Sequence, residues 1–296
     1  MGDEVKAKEF LEKAEKRTKG GNFLGMLMGG GSSRYEDAAS DYTKAANLFK
    51  LAKKWDAAGA AFQKASECYL KSGSKHDSAS SYVNAAGCYK KGNVSDAIIC
   101  LKAAIEYYTD EGRFGIAAKH QKEMAELYES IGDLEAAMSS YQQAADFYDG
   151  ENSQTSANQV LLKVAVISTQ LERYDKAIEI YEQVAASSVD NNLTQWGCKE
   201  YFLRAGLCYL ASDDVVSAER SLIRYRDMQA SFASSRECRL LDDVIQAVRN
   251  SNVEQFTSVV ADFNNITALD SMKTTLLLKI KNLITKDTPG HSDSNL

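Results

Sequence analysis

The sequence predicts an all-α fold: a right-handed stack of antiparallel helix pairs, closed by a C-terminal helical bundle. Two observations predict it. The chain of 296 residues holds a single proline, Pro289, close to its end. Proline interrupts helix interiors and punctuates loops, so its scarcity suits long helices joined by short turns. Small and large apolar residues also recur with a period near forty. Ala58, Ala97, Ala137, Ala177 and Ala218 are spaced 39, 40, 40 and 41 residues apart. Phe62, Leu101, Tyr141, Tyr181 and Leu222 follow four residues later, and Ala65, Ala104, Ala144 and Val184 three after that. Steps of four and three place all three positions on one helix face.

The unit is a helix pair. Breaks fall at KSGSKHD (71–77), KKGN (90–93), DEGR (110–113), SIGD (130–133), DGENSQTS (149–156) and ASDD (211–214), and each separates two helical stretches. One pair cannot bury its apolar face alone, so successive pairs must stack. Small residues allow close helix approach and an aromatic fills the adjacent gap. That is the logic of the tetratricopeptide repeat, with helices lengthened to fit the longer period. The tyrosines of the series are therefore expected in the core rather than on a binding stripe. Past Ser231 the repeat fades, and residues 235–284 still read as helices, with Asn252 and Asp270 as start signals. The expected organisation is a solenoid over 1–230 containing an apolar loop at 20–33, a bundle over 231–285 and a flexible tail over 286–296.

Composition excludes several functions. Net charge is −6, which opposes bulk attraction to nucleic acid. The six cysteines lie mostly in apolar helical patterns without C-x-x-C pairs, so buried free thiols in a reduced, cytoplasmic setting are expected. No segment approaches the ~20 apolar residues that span a bilayer, and no secretory leader is visible. His76, His120 and His291 have no zinc-ligand spacing. In GMLMGGGS (25–32) Gly31 stands where a phosphate-loop lysine belongs. Neither catalysis, a metal nor a cofactor is expected, and a protein-binding scaffold is the default.

Two surface features stand out. Lys122, Lys163 and Arg204 are spaced by 41 residues, with Lys119 one turn before Lys122 and Arg113 just ahead. Equivalent places in a solenoid line up, so these residues predict a basic ridge on an acidic protein, suited to an elongated acidic partner. The second feature is GGNFLGMLMGGGSS (20–33). Its five large apolar residues, Phe23, Leu24, Met26, Leu27 and Met28, stand among six glycines. Ordering so many glycines in a core is entropically costly, and the stretch is too apolar for a plain linker. A shallow membrane contact fits: full burial of five such side chains gives about 7–15 kcal/mol gross. Residues 1–54 carry eleven Lys/Arg against eight Asp/Glu, which suits anionic lipid.

The stretches GRFGIAAKH (112–120), LLKVA (161–165), DKAIEIYEQVA (175–185) and SRECRLL (235–241), with the apolar loop and YEDAA (35–39), resemble the soluble NSF attachment proteins from end to end. The resemblance implies a twisted sheet of helical hairpins and a bundle, fourteen helices in all, and an adaptor role. Several copies would coat a SNARE four-helix bundle through basic residues and present it to the ATPase NSF, with the apolar loop on the bilayer and the protein peripherally membrane-associated. The SNARE-facing positions would be Arg113, Lys119, Lys163, Arg204 and Arg239, joined by Lys122 from the spacing. Two places depart from the family pattern. Where members end in an acidic run and a leucine, this chain ends GHSDSNL, leaving Asp293 and Leu296; where they carry an acidic doublet in the bundle, it has Arg249-Asn250. Asp213, Asp214, Asp242, Asp243, Glu254 and Leu296 are the expected NSF-facing residues. The alternative is a repeat scaffold for other protein ligands.

Overall fold

The computed structural model describes residues 2–19 and 30–287. Among the described residues are fifteen α-helices, one short 3-10 turn and no strand. Among these, fourteen helices have at least 14 residues and one is a single turn. The chain divides into two compact units, Met1–Ala157 and Asn158–Leu296.

The first unit contains α1 (Gly2–Lys19), α2 (Gly30–Leu51), α3 (Trp55–Ser72), α4 (Lys75–Tyr89), α5 (Val94–Asp110), α6 (Phe114–Ser130) and α7 (Leu134–Gly150). From α2 onward the connections are only two to four residues long. A connection that short forces adjacent helices to run antiparallel. Gly73 closes α3 at φ 89°, its N–H on the Leu70 carbonyl and that of Ser74 on Tyr69. Asn93 and Asp133 open α5 and α7 by accepting from the N–H of Asp96 and Ala136. Ala58, Ala97 and Ala137 are wholly buried, as are Phe62, Leu101 and Tyr141 beside them. The Tyr141 hydroxyl donates to Glu129 at 2.8 Å, which satisfies its polar end inside the core. Gly59 lets α3 lie close on α4: a Cβ there would stand 2.7 Å from the Tyr89 ring.

The helix α8 (Gln154–Gln170) runs across the division. The second unit continues with α9 (Tyr174–Ser188), the 3-10 turn Gln195–Gly197, α10 (Cys198–Ala211), α11 (Val215–Met228), the single turn α12 (Ala230–Ala233), α13 (Arg236–Arg249), α14 (Val253–Ile266) and α15 (Ser271–Asp287). Ala177, Tyr181, Ala218 and Leu222 continue the buried series. Asn252 caps α14 through the Gln255 N–H, and Asp270 accepts from the Lys273 N–H to start α15, so both start signals hold. Both α13 and α15 pack directly on α10, and α13 also packs on α11. The point where the repeat fades, residue 231, thus lies inside the second unit.

At the centre of this unit Phe202 stacks on Tyr225 with ring centroids 4.4 Å apart and meets Phe232 edge-on at 5.2 Å. Beside them α10 and α13 touch through Gly206. A Cβ at Gly206 would lie 2.4 Å from Leu241 Cδ2. Leu241 is itself wholly buried, so it can yield only by shifting against its neighbours. Gly206→Ala is therefore expected to destabilise the second unit by about 1–3 kcal/mol despite the better helix propensity of alanine. Urea denaturation of the two proteins checks this, and an unchanged or higher midpoint would contradict it. All six cysteines are buried and free, as the sequence predicts.

Candidate functional site

The basic residues of the first unit gather on α6. The turn DEGR ends at Arg113, whose N–H bonds the Tyr108 carbonyl at 2.8 Å and whose guanidinium lies 5.9 Å from the Tyr108 ring centre. From Phe114 onward, α6 buries Ala117, Ala118, His120, Gln121, Met124 and Ala125. That pattern leaves Lys119 exposed and Lys122 half-buried. Neither lysine has an ion-pair partner among the described residues.

An acid directly follows Lys122 in sequence, and its charge is taken up inward. Glu123 accepts from His120 Nδ1 at 3.1 Å and pairs with Lys90, the residue just past α4. The buried imidazole of His120 stacks on Tyr108. The His120 hydrogen bond first, then the bond from Lys90, hold the Glu123 carboxyl down at about 2 against an ordinary 4.5. A carboxyl depressed by folding contributes stability above its unfolded pKa and loses that contribution as pH falls through the folded one. The cluster is thus expected to weaken between about pH 5 and pH 2. Glu123→Gln should flatten that part of the profile while lowering stability at neutral pH. Melting temperature against pH for both proteins checks it, and parallel profiles would reject the assignment.

In the second unit the predicted residues lie on separate helices: Lys163 on α8, Arg204 on α10 and Arg239 on α13. Lys163 and Arg239 are exposed. Arg204 has only 19% of its side chain exposed. Its guanidinium bonds Glu200 at 2.7 Å and Asp270 at 2.8 Å. Lys273, 7% exposed, meets the same two carboxylates at 2.8 and 3.4 Å. The result is a two-by-two charge cluster that ties α15 to α10. Arg239 stands on the rim of a groove of about 250 Å³ between α13 and α14, beside Asp243 and Phe263.

The acidic candidates divide in the same way. Asp214 caps α11 by accepting from the Ser217 N–H at 2.9 Å, which holds its carboxyl below the usual range. Asp242 is bonded by Arg226 at 2.6 Å. Asp243 is half-buried, and burial, then the Asp242 charge, push its carboxyl up. Asp213 adopts a left-handed backbone at φ 65° in the turn before α11, and Glu254 lies in the first turn of α14; both are exposed. Phe23, Leu24, Met26, Leu27, Met28 and Leu296 lie outside the described residues. Sequence reasoning missed Leu193 and Trp196, which are 90% and 73% exposed on the long connection between α9 and α10. The signal was present in DNNLTQW (190–196), a polar run that breaks the period and carries two large apolar residues.

Among the described residues no group of His, Cys, Asp and Glu could hold a metal ion, and no helix is long and apolar enough to cross a membrane. The stacked hairpins instead offer surface. Comparison with known proteins says whose surface it is. The family model for "Soluble NSF attachment protein, SNAP" matches residues 5–285. The chain is 73% identical to the alpha-soluble NSF attachment protein of Dictyostelium discoideum, over 97% of this chain and 99% of that one. It is 46% identical to the beta-soluble NSF attachment protein of Bos taurus, over 99% and 98% of the two chains. A probable vesicular-fusion protein sec17 homolog of Schizosaccharomyces pombe is 38% identical, over 93% and 95%. With matches that run from α1 into α15, the chain belongs to the soluble NSF attachment protein family.

Proposed function

We propose that this chain is a non-catalytic adaptor in vesicle fusion: it binds assembled SNARE bundles and recruits and stimulates the ATPase NSF to disassemble them. The observation that carries the reading is the family match over residues 5–285. The basic surface supports it. Arg113, Lys119, Lys122, Lys163 and Arg239 supply positive charge at positions matching the family's SNARE-facing ones or their repeat spacing, and an acidic bundle is the complementary partner. Arg204 contributes chiefly by holding α10 to α15 through Glu200 and Asp270. On the NSF side, Asp213 and Glu254 have exposed carboxylates, while Asp214 and Asp242 serve internal bonds, Asp243 is half-buried and Leu296 is carried over from the family's terminal leucine. Reconstituted SNARE disassembly with NSF and ATP, run with and without this chain, tests the proposal. Strong stimulation is expected, and none would overturn it.

The loop residues Phe23, Leu24, Met26, Leu27 and Met28 are the proposed membrane contact, which makes the protein a cytoplasmic one held peripherally on membranes. One copy binds weakly because ordering the loop opposes apolar burial. Several copies around one anchored bundle gain avidity. Phe23→Ser, Leu24→Ser and Leu27→Ser together are expected to slow disassembly of membrane-embedded SNAREs about tenfold or more, with little effect on soluble ones. Equal slowing of both substrates would reject the membrane role.

A further inference from the structure

Two places on opposite edges of the first unit carry unlike charge. Its consecutive helices are antiparallel, so the α2–α3 and α4–α5 turns lie at one edge and the α3–α4 and α5–α6 turns at the other. Contacts within the unit agree. Lys91 of the α4–α5 turn lies 4.0 Å from the Trp55 ring at the start of α3. At the opposite edge, the end of α3, the start of α4 and the end of α5 enclose a groove of about 360 Å³.

That groove has apolar walls and an acidic rim. Leu70, Ala79, Tyr82 and Tyr107 line it, and Glu106, Asp110 and Glu111 stand at its lip with Lys75 as the one basic residue. The three acids are exposed and have no ion-pair partner among the described residues. The rim thus carries an unbalanced charge of about −2 over an aromatic floor, an environment suited to lysine heads with apolar stems.

The complement is on the opposite edge of the same unit. Leu51 ends α2 with 71% of its surface exposed, flanked by the exposed Lys50, Lys53 and Lys54 and by no acid within residues 50–54. Lys53 takes φ 55° there, whereas Gly73, Gly112 and Gly132 take the left-handed conformation at three other turns of the unit. The turn thus keeps a lysine where glycine would be less strained. A leucine ringed by three lysines complements the groove in apolarity and, with opposite sign, in charge. Because corner and groove lie on opposite edges, they cannot meet within one copy. Such a contact is head-to-tail and uses different surfaces on the two partners.

We propose that the groove at the α3–α4–α5 edge docks a second copy of this chain through its Leu51 corner. The contact is small and electrostatic, so it is weak between free copies and sensitive to salt. It involves none of the residues assigned to SNARE or NSF binding, and its test needs neither partner.

The test uses the full chain with Tyr107 replaced by a photoreactive phenylalanine. Irradiation at low salt is expected to give an intermolecular cross-link that maps to residues 50–54 of the second copy and fades at high salt. Lys53→Glu with Lys54→Glu, and separately Asp110→Lys with Glu111→Lys, should each lower the yield about tenfold or more. Mixing these two variants should restore it, since an acidic corner then meets a basic groove. All four positions are exposed, and circular dichroism checks that folding is unchanged. Cross-links that are absent or map elsewhere, yields that ignore both charge reversals, or a mixture that fails to recover would each overturn the proposal.

Discussion

Phe202→Ala is expected to cost the second unit about 3–5 kcal/mol. Phe202 is wholly buried, stacked on Tyr225 and edge-on to Phe232. The cost depends on how far neighbours can close the cavity, and here they are held. Glu182 anchors the Tyr225 hydroxyl and also takes Arg224 and Tyr209, so Tyr225 cannot swing inward without giving up that bond. Burial and the Glu182 charge both push the Tyr225 phenol up, which keeps it a neutral hydrogen-bond donor. Hydrogen exchange is the suitable measurement. Protection of α10 and α11 should fall by about two to four orders of magnitude. Phe202→Leu, which keeps most of the volume, should cost much less. A loss below about 1 kcal/mol for the alanine variant would show that the aromatic cluster is not the centre of this unit.

Lys119→Glu combined with Lys163→Glu is expected to weaken binding to assembled SNARE bundles about 10- to 100-fold at physiological salt. A single exposed pair contributes little, about 0–1 kcal/mol. Reversal replaces attraction with repulsion at two places, and each bound copy repeats the effect. Both side chains are exposed, and melting temperatures of the double variant and the unaltered chain check that the fold is kept. Arg204→Glu is not an equivalent probe. It would set a third carboxylate against Glu200 and Asp270 and loosen α15, mixing lost affinity with lost fold. Titration of labelled bundles with the double variant decides the matter: affinity and salt dependence equal to those of the unaltered chain would remove the two lysines from the interface.

The repeat was legible because it is periodic. The alanines at 58, 97, 137, 177 and 218 and the large residues four places later are all buried. A solenoid core repeats its local environment, so a spacing in sequence maps directly onto a face in space. The caps at Asn252 and Asp270 were legible for a related reason, since a cap acts within three residues of itself. Arg204 was different. Its spacing places it with Lys122 and Lys163, yet its charge is taken by Asp270, 66 residues away. Asp242 is likewise taken by Arg226, 16 residues away. Pairings between helices outside the repeat depend on a register that no periodic pattern encodes. Tyr82 shows the limit from within the repeat. It stands twenty residues from the buried Phe62 but is only half-buried, because it lines the groove at the α3–α4–α5 edge.

The charge cluster that joins α10 to α15 has a consequence for the order in which the chain is made. In the first unit helices pack on their sequence neighbours, so each hairpin can settle as soon as it leaves the ribosome. The second unit cannot finish that way. Glu200 must wait for Lys273, 73 residues later, and Arg204 for Asp270. Until α15 emerges, α10 lacks the partners that balance its charges and cover its flank. Synthesis therefore passes through a stage with the N-terminal half complete and the C-terminal half open. That interval is when the nascent protein most needs protection from aggregation.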